Sequence, residues 1–182
     1  MAALSLGADG LAETAVRMQD ARAVLEDAEA DLARRAATLD PCGCIWLIWP
    51  TLAAARSETR MRLLARCFLL CSGSGYAPRR AGLSGLWDTL AAGDATRTLH
   101  GCLAERQGDT LRLMREPAAL GEEETGGLWD GRWAVVHRAA GRLGALGERG
   151  VRLLRAAGEA GLWHPPAAWG EAPRAARLTT PA

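Results

Sequence analysis

An α+β fold is predicted by three features of the sequence. An apolar stripe repeats every seven residues over 10–37, two further stretches at 52–71 and 79–90 carry apolar residues at helical spacing, and residues 96–115 contain two strand-like runs around a turn. Together they describe a long amphipathic helix and a helical unit closed by a β-hairpin, with a small mixed unit following. The chain has 182 residues, 49% of them apolar, which is enough for a real core and fits one ordinary domain or two small ones.

In the first segment Leu11, Met18, Leu25, Leu32 and Leu39 recur at intervals of seven, with Thr14, Ala21 and Ala28 between them. Such a narrow, alanine-rich seam lets another helix approach closely, and a partner within the same chain is expected. Asp40-Pro41 ends this helix, because the residue before a proline is pushed out of the helical region. Ile45–Ile48, just before Pro50, reads as a strand or buried connector. The second helix, Leu52 to about Cys71, presents Met61, Leu64, Ala65 and Phe68 on one face. Ser72-Gly73-Ser74-Gly75 is a loop, and Arg79–Leu90 is a third helix weakened by Gly82 and Gly85. Residues 96–104 and 110–115 then form the hairpin across Arg106-Gln107-Gly108-Asp109.

Residues 118–127 have the most linker-like composition, with Glu122-Glu123-Glu124 and a pair of glycines, and the expected domains are therefore 1–117 and 128–182. Within the second, Trp129–Trp133 suggests a turn, Ala134-Val135-Val136 a strand and Glu148–Ala160 a helix. No run approaches the roughly 20 apolar residues of a membrane span. No basic stretch followed by an apolar run opens the chain, so a cytoplasmic protein without membrane partners is expected.

All 22 basic residues are arginine; lysine and asparagine are absent. That excludes Schiff-base chemistry, a lysine general base and the Gly-Lys-Ser/Thr phosphate loop. Guanidinium groups remain for phosphate contact, and their planar fork suits phosphate oxygens. The net charge of +1 conceals polarity along the chain: residues 1–40 hold eight acids against four arginines, whereas 51–115 hold ten arginines against five acids. Over 51–80, Arg56, Arg60, Arg62, Arg66, Arg79 and Arg80 face Glu58 alone. Two explanations stand side by side: contact with a phosphate backbone, or solvated helix faces in an arginine-biased composition.

Other chemistry is weakly supported. Cys42-x-Cys44 and Cys67-x-x-x-Cys71, with Cys102 and His100 nearby, lack the paired Cys-x-x-Cys spacing of structural zinc, and small thiols on an apolar helix are usually buried core; no bound metal is expected. Disulfides are not expected in a cytosolic chain. His100, His137 and His164 have no partners at catalytic spacing, and no Gly-x-Ser-x-Gly elbow is present, so no catalytic residue is assigned. Among the tryptophans, Trp46 and Trp87 fit a core, leaving Trp129 and Trp133 as the expected exposed pair.

The segments Tyr76-Ala-Pro-Arg-Arg80, Leu83…Leu86…Leu90, Thr98-Leu-His-Gly-Cys102 and Leu111-Arg-Leu-Met-Arg-Glu-Pro117 follow one another in an order that resembles the region beyond the catalytic domain of bacterial tRNA(Ile)-lysidine synthases. Leu39-Asp40-Pro41, Trp129-Asp-Gly-Arg-Trp133, Leu146-Gly-Glu-Arg-Gly150 and Leu178-Thr-Thr-Pro-Ala182 keep the family's order too. Ala77 and His100 stand where the family commonly has proline and glycine. The resemblance implies an ATP- and magnesium-dependent ligase that converts the wobble cytidine of an isoleucine tRNA to lysidine. The family's Ser-Gly-Gly-x-Asp-Ser ATP loop has no counterpart here, so this chain would bind tRNA without catalysing and hold no cofactor itself. Its partners would be tRNA and the missing catalytic domain, in cis or in trans. The implied phosphate contacts are Arg56, Arg60, Arg62, Arg66, Arg79 and Arg80, with Arg112 and Arg115 on the hairpin. The alternatives are a helical module whose 10–37 seam docks a separate catalytic chain, and a decayed, truncated gene product.

Overall fold

A computed structural model describes residues 7–40, 43–120, 124–125 and 128–133. The strand expected at 134–136, the helix expected at 148–160, His137 and His164 lie outside them. Among the described residues the architecture is α+β, with four α-helices laid against one antiparallel five-stranded sheet.

The first helix, α1, spans Ala8–Ala36. Its last turns bury Glu29, Leu32 and Ala36 against α2 and α3, and Leu25 is half-buried. The seam does not find a partner along its whole length, however. Residues 9–24 are exposed, with Leu11 at 53% and Met18 at 70%, because the first half of α1 projects beyond the rest of the described fold. The helix also stops at Ala36, before Asp40-Pro41, and Ala37–Leu39 pairs instead as strand β1 with β2, Ile45–Ile48. Asp40 fixes the turn between them, its carboxylate accepting hydrogen bonds from the Cys44 amide at 2.9 Å and the Trp46 indole at 3.0 Å.

The single helix expected over 52–71 is two. Helix α2 is Trp49–Ala54 and α3 is Ser57–Ser72, with Ala55 and Arg56 extended between them. The break is closed by Arg60, whose guanidinium donates to the carbonyls of Ala53 and Ala55, at 3.2 Å each, where the end of α2 leaves acceptors without helical partners. Met61, Leu64 and Phe68 are buried as their spacing predicts, and Leu63, Cys67 and Cys71 are buried as well. The wider buried arc arises because α3 lies between α1 and the sheet. Helix α4 is Arg80–Ala91, burying Leu83, Leu86 and Leu90.

The expected hairpin is in fact a three-stranded meander: β3 Ala95–Leu99, β4 Cys102–Gln107 and β5 Thr110–Arg115. The run 96–104 folds back at His100-Gly101, where both residues have positive φ, +55° and +67°, as a two-residue turn matched to strand twist requires. The sheet order is β1-β2-β5-β4-β3. Ile45 and Leu47 of β2 pair with Leu113 and Leu111 of β5, and these four with Ala104 and Cys102 form the buried face under the helices. After a short 3-10 turn at Pro117–Ala119, Glu124–Thr125 (β6) and Leu128–Trp129 (β7) form a two-stranded ribbon. The turn Trp129–Trp133 then packs back on the first unit: Gly131 approaches the Gly73 carbonyl so closely that a Cβ there would sit 2.6 Å from it, and Trp133 lies against Gly43.

Candidate nucleic-acid interface

The arginine-rich segment places its cations at the adjoining ends of α3 and α4. Arg56 and Arg79 occupy the N-cap positions of these two helices, and neither helix receives a side-chain cap. Both side chains are exposed and make no ion pair or hydrogen bond among the described residues. Arg62 and Arg80 converge on one carboxylate, Glu58, at 3.0 and 2.6 Å. These two hydrogen bonds, Arg80's first, hold Glu58 below the usual carboxylate range. Glu58 binds two of the four guanidiniums and Glu26 of α1 adds a longer-range attraction to Arg62, which leaves the charge of Arg56 and Arg79 beside two helix N-termini, whose partial positive charge adds to it.

The remaining expected contacts are committed elsewhere. Arg60, besides closing α2, lies 3.7 Å above the Trp87 ring; Trp87 stacks on Trp49 at 4.7 Å between centroids, and Arg106 lies 4.1 Å over Trp49. The result is an Arg–Trp–Trp–Arg column joining α2, α3, α4 and β4. Burial there lowers the pKa of Arg60. Trp87 is half-buried as part of this column, not a fully enclosed core residue. Arg66 pairs at 2.5 Å with the buried Glu29 of α1. Arg112 pairs with Glu105 on the neighbouring strand and faces Trp46 at 5.4 Å.

Arg115 is the most engaged of all. It binds both oxygens of Asp130 at 2.9–3.1 Å and donates to the carbonyls of Gly101 and Ala119. Arg132 reaches the same carboxylate, its closest approach 2.6 Å. Burial works against the charge on Asp130, yet the hydrogen bonds from Arg115 and Arg132 outweigh it and set the pKa below the ordinary value. The hydrogen bond to Asp130 likewise raises the pKa of Arg115. Trp129 and Trp133 are half-buried by the same docking rather than exposed. Arg60, Arg112 and Arg115 are therefore taken up within the fold, Arg66 is an exposed side chain that pairs with the buried Glu29, and Arg62 is half-buried beside Glu58, while Arg56, Arg79 and Arg80 are exposed cations.

Sequence reasoning missed Trp49, Arg106, Glu29 and Asp130 as the partners that take these arginines up. It also missed Arg97, exposed on the edge strand β3 beside a shallow groove lined by Gly82, Gly85, Leu86 and Thr89. Among the described residues no group of three or more His, Cys, Asp or Glu side chains could hold a metal ion, and no helix is long and apolar enough to cross a membrane. Comparison with protein-family models, with curated proteins and with solved structures finds no match to this chain.

Proposed function

We propose that this chain is the tRNA-binding portion of a tRNA(Ile)-lysidine synthase, contacting the phosphate backbone through Arg56, Arg62, Arg79 and Arg80. The observation that carries this reading is the charge at the adjoining ends of α3 and α4, where Arg62 and Arg80 share Glu58 while the exposed Arg56 and Arg79 have no protein partner among the described residues. Exposed guanidiniums on a rigid helical base neutralise phosphates and release their counterions on binding. The resemblance in the order of motifs from Leu39-Asp40-Pro41 to Trp129–Trp133 is what supports an isoleucine tRNA as the RNA. The ligase reaction itself, with its ATP and magnesium, belongs to a catalytic domain acting in cis or in trans.

The test is fluorescence anisotropy with an isoleucine tRNA transcript carrying cytidine at the wobble position. Arg79→Ala/Arg80→Ala weakens binding and flattens its salt dependence; unchanged affinity with an unchanged salt slope removes the proposal. A second reading, a module that docks a catalytic chain, is favoured by one observation. The α1 stripe continues through Leu11 and Met18, both exposed, along the half of the helix that nothing in the described fold covers.

A further inference from the structure

The loop leading into α4 carries an aromatic ring that the fold holds in place and leaves uncovered. Tyr76 is 73% exposed, yet its backbone is fixed from several sides. Its amide donates to the Ser74 hydroxyl at 3.4 Å and its carbonyl accepts from His100 Nε2 at 2.8 Å. Pro78, two residues on, is buried, and its ring locks the local φ. The rings of Tyr76 and His100 meet nearly perpendicular, at 73°, with centroids 5.1 Å apart, and His100 is itself half-buried in the turn between β3 and β4. At least one face of the tyrosine ring therefore stays open to a partner. An aromatic side chain already held in this way loses little conformational freedom on binding.

Cations lie on both sides of this ring. Arg79 and Arg80 follow Tyr76 by three and four residues at the start of α4. In the other direction β3 runs from His100 back to Arg97, three residues or roughly 10 Å along the strand. There a shallow groove opens between α4 and β3, the edge strand of the sheet. Gly82 and Gly85 contribute backbone to it, Thr89 and Thr98 contribute hydroxyls, and a Cβ added at Gly85 would meet nothing within 4 Å. Among the described residues that line the groove, Arg97 is the one charged side chain, and it is exposed and makes no ion pair or hydrogen bond among them. An open cleft with a lone cation beside an uncovered aromatic ring suits an anion that carries a flat ring of its own.

We propose that Tyr76 is a stacking platform for an unpaired RNA base and that Arg97, in the adjoining groove, takes the phosphate of a neighbouring nucleotide. The proposal rests on the reading of Arg79 and Arg80 as phosphate contacts, and it adds what those cations lack, a means of telling single-stranded RNA from a duplex. Guanidiniums neutralise the phosphates of either form, whereas a base must leave its own stack to lie on a protein ring. Stacking involves no ion pair, so Tyr76 strengthens binding without steepening its salt dependence. Arg97 does steepen it, because neutralising a phosphate releases a counterion.

The test measures anisotropy of the full chain with a short labelled oligoadenylate and with the blunt-ended duplex that it forms with oligouridylate. Tyr76→Ala weakens binding to the single strand by about 5- to 150-fold and leaves both the salt slope and the duplex affinity unchanged. Tyr76→Phe, which keeps the ring, stays within twofold of wild type, and a strand of the same length without bases binds wild type and Tyr76→Ala equally. Arg97→Ala lowers the salt slope on the single strand by roughly 1. Tyr76 is exposed, so the melting temperature of its variants stays within about 2 °C of wild type. A wild-type protein that binds neither RNA overturns the phosphate reading and this one together. Binding to both RNAs with Tyr76→Ala indistinguishable from wild type, an equal loss on the duplex, or an unchanged slope in Arg97→Ala overturns this one alone.

Discussion

Replacing Asp130 by alanine removes the centre of the strap that the turn Trp129–Trp133 lays on the first unit. Its carboxylate is 2% exposed and takes hydrogen bonds from two arginines whose side chains are themselves only 16% and 11% exposed. Without the acid, Arg115 keeps the carbonyls of Gly101 and Ala119, but both charges stay largely out of water with no counter-charge. Removing one partner of a buried ion pair costs about 3–5 kcal/mol. Against a total stability of about 5–15 kcal/mol, that is a large share. It corresponds to a fall in melting temperature of about 10–20 °C for a domain of this size. The turn could instead detach and return the guanidiniums to water, in which case the loss is local. Urea denaturation measures the global part, and amide exchange at Gly101 and Arg115 measures the local part. A fall of less than about 2 °C together with unchanged exchange at both amides would refute the strap.

Acid should act on the same ion cluster. A carboxylate with a depressed folded pKa contributes stability that is complete above its unfolded value of about 3.9 and is lost as pH falls from there through the lower folded value. Wild-type stability therefore declines below about pH 4, and Asp130→Asn has a shallower decline in that window; equal slopes contradict the assignment. Gly73→Ala combines a strained φ of +67° with a clash against the Asp130 carbonyl, and should undock the turn at a cost of about 1–3 kcal/mol by thermal melting. Arg60→Ala removes the carbonyl contacts that close α2 and a cation–π contact, so it should lower stability by about 1–3 kcal/mol while leaving tRNA affinity within twofold.

The sequence carried the local elements better than their assembly. Heptad spacing placed α1, and the apolar spacing of Met61, Leu64 and Phe68 placed the buried side of α3. The break between α2 and α3 was hidden, because Ala53, Ala54 and Ala55 are good helix formers and the interruption is stabilised by a side chain, Arg60, from the following helix. The turn at His100-Gly101 was missed because positive φ is uncommon outside glycine, so Gly101 alone offered a signal. Pairing of β2 with β5 joins residues more than sixty positions apart, which periodicity alone does not encode. For the arginines, counting charge showed where the excess lies but not which side chains are already neutralised. Glu29 reaches Arg66 from the first helix, Asp130 reaches Arg115 from the turn after the meander, and Trp87 receives Arg60 through the packing of two helices. The helix-end cations could be separated from the structural ones only once those partners were placed.

The most direct test is the dependence of tRNA affinity on salt in two sets of variants. Replacing Arg56 and Arg79, the surface cations without partners among the described residues, should reduce the slope of log K against log salt by roughly 1 for each arginine removed. Replacing Arg112 with its partner Glu105, a pair within the sheet, should leave that slope unchanged. Equal slopes in the wild type and the Arg56/Arg79 variant, or loss of slope on removing the Arg112–Glu105 pair, would contradict phosphate binding at the ends of α3 and α4.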